Sequence, residues 1–254
     1  MILLLDLGNT NLYVGVYQNG SLLCEYRTNS DTHHSSDMYQ YLLNSFFIKS
    51  KLHVEDFEGA IIASVIPSLT MTIVDAVETL IKKKCYIVGN NLRTGLSIRI
   101  DNPSELGADL VADCVGALKE YSVPCIICDL GTANKFLVLD KAGNFIGCII
   151  SPGIKTAGKA LALDAAQLMD ISYTAPKKVI GKNSPDSLNS GAIFGTIAMI
   201  NGLTDMIEKE IGYKTNHIIT GGNAKLVYKE LKNYVYDPHL IFKGLYHIYQ
   251  KNKD

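Results

Sequence analysis

Two aspartates, each followed by leucine, glycine and a short polar turn, are the residues of this sequence best suited to chemistry. Asp6-Leu7-Gly8-Asn9-Thr10-Asn11 ends an apolar run that starts at Ile2, and Asp129-Leu130-Gly131-Thr132-Ala133-Asn134 ends the run Cys125-Ile126-Ile127-Cys128. A glycine in a tight turn lets backbone N–H groups approach phosphate oxygens, and Asn9, Thr10 and Asn11 add side-chain donors. An acid at a strand end, such as Asp6, can hold Mg²⁺ through water, because this ion keeps part of its hydration shell. A plain hairpin turn would explain one copy, since Asn, Gly and Thr are good turn formers. Two copies, each with an acid at the strand end, favour phosphate binding. The chain has no G-x-x-x-x-G-K-[ST], and no G-x-G-x-x-G follows a strand, so neither a P-loop nor a dinucleotide fingerprint is present.

Three other places carry candidate groups. Ile218-Ile219-Thr220-Gly221-Gly222-Asn223 reads as a strand entering a Gly-Gly turn, with a helix over Ala224 to Lys232 leaving it. Such a turn can pass beneath a purine or ribose, and a helix N-terminus favours anions; a simple strand-to-helix turn fits equally well. Asp109 is the carboxylate to test as a base. It follows Gly107 in the first turns of a helix opened by Pro103 and Ser104, though an acid there also suits the helix dipole. Ser184 reads as the N-cap of a long helix running to about Ile211. His33 and His34 fall in a polar loop over 28–37, where solvation is the expected state, and no Ser/His/Asp or Cys/His arrangement stands out.

The elements around these groups repeat. Residues 3–20 and 126–143 align, Asp6 with Asp129, Gly8 with Gly131, Asn11 with Asn134 and Gly20 with Gly143. Each copy is a strand, a small polar turn and a second strand that ends in another turn. Helices alternate with the strands. Ser68 to Lys84 carries apolar residues at helical spacing after Pro67, and Leu110, Val111, Cys114, Val115 and Leu118 form another stripe. Gly191 and Gly195 share one face of the long helix, where close approach of a backbone or ligand would justify their cost of about 1 kcal/mol each against alanine. The fold class is therefore α/β, with two similar lobes over residues 1–117 and 118–254.

Composition excludes other classes. Of 254 residues, 47% are hydrophobic and 19% charged, and 24 basic against 25 acidic residues leave a net charge of −1. Binding to nucleic acid or an anionic membrane surface calls for a basic surplus that is missing here. No unbroken apolar run approaches the ~18 residues of a membrane span. The six cysteines are scattered; Cys125 and Cys128 form a C-x-x-C inside an apolar stretch with no second pair, so core cysteines in a reducing, cytoplasmic compartment are expected.

Taken in order, these blocks resemble the type III pantothenate kinases, relatives of acetate kinase, the sugar kinases and actin. The resemblance runs nearly end to end. It includes Asp6 to Asn11, Ala63 to Thr70, Asp101-Asn102-Pro103, Glu105 to Asp109, Asp129 to Ala133, Ser151-Pro152-Gly153, Ile180 to Asn183, Ser190-Gly191, Thr220-Gly221-Gly222 and Asp237-Pro238. It implies two actin-like, ribonuclease H-like lobes with mixed sheets and flanking helices, and ATP in the cleft between them. It also implies phosphorylation of the pantothenate 4′-hydroxyl, the first step of coenzyme A synthesis. Residues Asp6, Leu7, Gly8, Asn9, Thr10, Asn11, Leu12 and Tyr13 would then contact ATP, with Thr132, Gly221 and Gly222. Asp6 would hold Mg²⁺ through water, Asp129 would sit at a K⁺ or NH₄⁺ site, and Asp109 would be the base that takes the hydroxyl proton. Pantothenate would meet Ile100, Gly107, Ala108, Asp109, Leu110 and Ser184 near the interface of a homodimer.

The chain departs from the family at four places. Leu110 stands where the family has Arg, Ile100 where it has Tyr, Ser184 where it has Thr, and Ala133-Asn134-Lys135 where it has Ala-Thr-Thr. Losing a charge-assisted bond to an anionic substrate costs about 1.5–3 kcal/mol. Two other readings stay open at this point: a kinase of the same fold acting on another hydroxyl compound, and an impaired, ATP-binding regulatory relative.

Overall fold

The apolar run that opens the sequence becomes the central strand of a sheet buried on both faces. A computed structural model describes residues 1–89, 91–164 and 172–253. In chain order the strands and helices begin with β1 (Ile2–Leu7), β2 (Asn11–Gln18), β3 (Ser21–Asn29), α1 (Ser36–Lys49), β4 (Gly59–Ser64), α2 (Pro67–Ile81), β5 (Cys85–Ile87) and β6 (Ser97–Ile98). They continue with α3 (Ala108–Glu120), β7 (Cys125–Leu130), β8 (Ala133–Leu139), β9 (Asn144–Pro152) and α4 (Ile154–Asp164). The chain then forms α5 (Ser184–Ile211), β10 (Asn216–Thr220), β11 (Val235–Tyr236) and α6 (Leu240–Asn252). Contacts divide it into two units, one of residues 1–96, 101–120 and 240–254, the other of 97–100 and 121–239.

The first unit holds a five-stranded sheet in the order β3-β2-β1-β4-β5. Leu3, Leu5 and Leu7 of β1 enter one core with Tyr39, Leu43 and Phe47 of α1 and Ile73 and Val77 of α2. Ile2 and Leu4 enter the other, with Val111 and Val115 of α3 and Phe242, Leu245 and Ile248 of α6. Alternate residues of one strand thus feed opposite cores, the reason its sequence reads as continuously apolar rather than alternating. Helices α3 and α6 cross at Gly116 and Gly244. A Cβ on Gly244 would overlap the Ala112 carbonyl, and one on Gly116 would overlap that of Leu240.

The second unit repeats the plan. Its sheet runs β11-β10-β7-β8-β9-β6, so β9-β8-β7-β10-β11 matches β3-β2-β1-β4-β5 strand for strand: an antiparallel meander followed by parallel strands. Each unit is an actin-like mixed α/β domain. Ile126, Cys128 and Leu130 pack with Phe136, Ile193, Ile200, Ile207 and Ile219. With its 28 residues, α5 is long and apolar enough to cross a bilayer by length and composition, unlike the reading from unbroken runs. One face of it packs into the second unit's core through Ile193, Ile200 and Ile207, with Thr196, Thr204 and Glu208 also buried. Cys125 and Cys128 are buried free thiols. Burial pushes Cys125 up to about 12 and Cys128 further, which removes the thiolate that redox or metal chemistry would need.

Several local expectations are corrected. Pro103–Glu105 is a separate 3₁₀ turn capped by Asn102, whose Oδ1 accepts from Ser104 N at 3.3 Å, and α3 starts only after Gly107. Asn183, not Ser184, caps α5: its Oδ1 accepts from Asp186 N at 2.8 Å, and Ser184 is the first helical residue. Two 3₁₀ turns, Ala224–Leu226 and Tyr228–Glu230, replace the helix expected after Gly222. The polar 28–37 loop is shorter, because β3 runs to Asn29 and α1 starts at Ser36. His34 is half-buried, with Nε2 3.5 Å from Asp31 and its ring edge-on to Tyr39.

Candidate active site

Both Asp-Leu-Gly turns close in the same manner. Gly8 N donates to Asn11 O and Gly131 N to Ala133 O, each at 3.0 Å. Ser30 fastens the first turn from β3's end, its Oγ donating to Gly8 O at 2.6 Å and its N–H to Thr10 O at 3.1 Å. Asn9 and Thr10 remain exposed, while Leu7 and Leu12 are fully buried and offer only backbone. Tyr13 is also buried; its hydroxyl donates to Glu25 Oε2 at 2.6 Å, and burial, reinforced by that carboxylate, pushes the phenol up.

Strand register changes the alignment of the repeat. Asp6 faces Tyr13 and Leu7 faces Leu12, leaving residues 8–11 in the first turn. Asp129 faces Lys135 and Leu130 faces Asn134, leaving residues 131–133. The second turn is one residue shorter, so Asn134 corresponds to Leu12 rather than Asn11. Lys135, the counterpart of Tyr13, places Nζ 2.9 Å from Asp129 Oδ2.

The second turn gathers three segments of its unit. Thr220 lies beside Asp129 in the parallel pairing of β10 with β7. Gly221 follows with φ +90°, and a Cβ there would overlap Asp129 Oδ1, so this turn requires glycine. Asn223 bonds the Gly-Gly turn to the 131–133 turn twice, N–H to Leu130 O at 2.8 Å and Nδ2 to Gly131 O at 2.7 Å. Gly153 N and Thr156 Oγ1 both donate to Thr132 O, at 3.0 and 2.7 Å, and leave the Thr132 residue exposed at the surface of the cluster. Asn223 is the residue that sequence reasoning missed. Its signal was present, an amide directly after Gly-Gly, but asparagine is so common in turns that the letter alone did not separate a clamp from a turn former.

Asp109 stands in the first turn of α3, half-buried, with Oδ1 accepting from Leu110 N at 2.9 Å and folded over Gly107. That position on a rigid helix fixes the carboxylate, as general base catalysis requires. Gly107 and Ala108 are half-buried beside it, and Leu110 is buried. Ile100 is half-buried just after β6, and Ser184 is exposed at the start of α5. In the second unit, Gly191 and Gly195 have open space beside them and line a cavity of about 350 Å³ with Ala157, Gly158, Leu161 and Met199.

The donor chemistry separates the two metal expectations. A half-buried Asp6 beside exposed Asn9 and Thr10 offers hard oxygen donors at an open turn, which suits Mg²⁺ held through water. Among the described residues no three His, Cys, Asp or Glu side chains cluster as a metal-holding group. Asp129 fits an exchangeable monovalent cation poorly, because Lys135 already brings a unit positive charge to Oδ2 and the Gly221 turn lies against Oδ1.

Known proteins share this sequence and fold. The family model for type III pantothenate kinase matches residues 2–206. A type III pantothenate kinase of Exiguobacterium sibiricum is 36% identical over 254 residues, covering all of both chains. Among solved structures, a conserved Baf family protein of Campylobacter jejuni is similar with a TM-score of 0.63 at 18% identity, covering 98% of each chain. The activator of 2-hydroxyisocaproyl-CoA dehydratase from Clostridium difficile, solved with ADPNP, is similar with a TM-score of 0.53 at 15% identity, covering 96% of this chain and 91% of its own. The structures establish the shared fold, and the sequence relationships establish the family: the chain belongs to the type III pantothenate kinases.

Proposed function

We propose that this chain's reaction, ATP-dependent phosphorylation of the pantothenate 4′-hydroxyl, runs with Asp109 as general base. Phosphoryl transfer asks a protein chiefly to position the reactants and neutralise charge. In the first unit, the Gly8–Asn11 turn presents N–H groups and the Asn9 and Thr10 side chains to phosphate oxygens. Leu7, Leu12 and Tyr13 contribute main chain to that contact. In the second, Thr132 serves the same role, and Gly221-Gly222 leaves a flat surface for the nucleoside. The observation that carries this reading is the paired closure of the two turns, Gly8 N to Asn11 O and Gly131 N to Ala133 O, which exposes polar donors in both.

Asp109 takes the hydroxyl proton as the oxygen attacks the γ-phosphorus. The Leu110 N–H bond to Oδ1 holds the carboxylate in place. A loose transition state makes the hydroxyl acidic only late, so an ordinary carboxylate suffices. Mg²⁺, when bound near Asp6, neutralises phosphate charge. On the first unit, pantothenate meets the main chain of Gly107 and Ala108 and the apolar side chain of Leu110.

The chain acts as a homodimer in this reading. Large apolar side chains of the second unit, Leu161, Leu163, Ile180 and Met206 among them, are exposed, and a partner would cover some of them. Free thiols at all six cysteines agree with a reducing cytoplasm.

Mass-spectrometric detection of phosphopantothenate from ATP, Mg²⁺ and pantothenate tests the reading, beside Asp109→Asn. The isosteric amide keeps the Leu110 bond but removes the base, so turnover falls by about 10²–10⁴ with ATP affinity unchanged. Product at equal rates from both proteins would remove Asp109 from the mechanism. No product from either, with ATP bound, would reject pantothenate as the acceptor.

A further inference from the structure

Asp129 and Lys135 face one another across β7 and β8 in register, with Nζ 2.9 Å from Oδ2 and both side chains largely buried, 13% and 19% exposed respectively. This is a cross-strand opposite-charge pair, a geometry that a strand ladder holds rigid. The other carboxylate oxygen lies against the Gly221 turn, where a Cβ would overlap it. The ammonium therefore takes the carboxylate oxygen that is not against the Gly221 turn, on the strand that follows the 131–133 turn.

We propose that Lys135 is a built-in monovalent cation: its ammonium supplies, from the chain itself, the single positive charge that would otherwise come from K⁺ or NH₄⁺ beside Asp129. The proposal rests on the kinase reading above, since it concerns the charge near that phosphate turn. A tethered ammonium and a potassium ion carry the same charge, and both satisfy a carboxylate. They differ in cost. An exchangeable ion must be bound from solution, whereas the lysine is ordered once, when the sheet folds. Both cannot occupy the oxygen at Oδ2, because like charges at contact in a partly buried site repel strongly.

Removing the ammonium takes a unit positive charge away from a largely buried carboxylate, a loss that a cation from solution offsets if space is made for it. Lys135→Thr makes that space and offers a hydroxyl oxygen as a further ligand. Lys135→Met removes the charge but keeps the volume, so it neither supplies a cation nor admits one.

The test compares the three full-length proteins in choline chloride, NaCl, KCl and NH₄Cl, reading phosphopantothenate formation and, separately, melting temperature with and without ATP. The wild-type rate is expected to change less than about twofold among the salts, while Lys135→Thr falls about tenfold or more in choline and recovers in KCl or NH₄Cl. Lys135→Met is expected to stay low in every salt. Melting temperatures should follow the same pattern: a rise with K⁺ for Lys135→Thr beyond that given by Na⁺, and none for wild type. A wild-type rate that needs K⁺ by about tenfold, or a Lys135→Thr protein whose melting responds to K⁺ no more than wild type, overturns the proposal. If no protein makes phosphopantothenate in any salt, the kinase reading fails, and the melting comparison still decides the role of Lys135.

Discussion

Tyr13 and Lys135 are counterparts, each directly across an antiparallel strand pair from the strand-end aspartate of its own unit. One copy of the element thus sets a neutral phenol across from Asp6, and the other sets an ammonium across from Asp129. The phenol is committed to Glu25, with the Arg27 guanidinium 4.0 Å over its ring, while the ammonium is committed to the aspartate itself. The two turns close with the same kind of backbone bond but differ by one residue in length and in the charge set across from their aspartates.

Asn223 clamps the Gly-Gly turn to the 131–133 turn. Asn223→Ala deletes the Nδ2 bond to Gly131 O but keeps the backbone bond to Leu130 O. The expected result is a stability loss of about 1 kcal/mol and a KM for ATP raised several-fold, with the KM for pantothenate unchanged. Steady-state kinetics in both substrates check it; an equal rise in both constants would show a general disturbance instead of a nucleotide-side clamp.

Glu208 makes folding acid-sensitive. Burial pushes its carboxyl up, but bonds from Lys214, His217 and Thr215 outweigh that and hold it at about 2, against 4.5 ordinarily. A carboxylate whose folded value is depressed contributes fully above its unfolded value and loses that contribution as pH falls from about 4.5 to about 2. Urea midpoints should drop steeply through that window. Glu208→Gln should cost about 2–3 kcal/mol at neutral pH and flatten the slope. A variant with the wild-type acid slope would assign the sensitivity to other carboxylates.

Two glycines separate packing from propensity. Gly244→Ala forces a methyl into the Ala112 carbonyl, which belongs to a helix backbone and cannot step aside. A loss of about 3 kcal/mol is expected. Gly202 is an exposed position within α5 with nothing near its missing Cβ, so Gly202→Ala should stabilise by about 0.5–1 kcal/mol. Thermal melting of the pair reads both signs.

The repeated element was legible because its signals are local. An apolar strand, an acid, a glycine and a second strand are written in consecutive letters, and both copies fold as such. The length of the second turn was not legible: Asn11 and Asn134 invite alignment, and only strand pairing shows that Asn134 faces Leu130. Asp109 was placed on its helix, but the helix start was not. Asn102 caps its own short turn, and Gly107 resets the backbone before α3. The family's Arg position could be read as Leu110, whereas its burial depends on neighbours that no local pattern names. The Lys135–Asp129 pair follows from register, which a one-residue change in turn length decides.

The placement of α6 has a consequence for how the protein is made. Its Phe242, Leu245 and Ile248 complete the core on one face of the first sheet, yet they are translated after the whole of residues 121–239. On the ribosome the second unit can therefore finish folding while the first still has an open face, with Ile2, Leu4, Val111 and Val115 lacking their cover. The N-terminal half of the chain is synthesised first but completed last, and during that interval its half-built core is the surface a chaperone would hold.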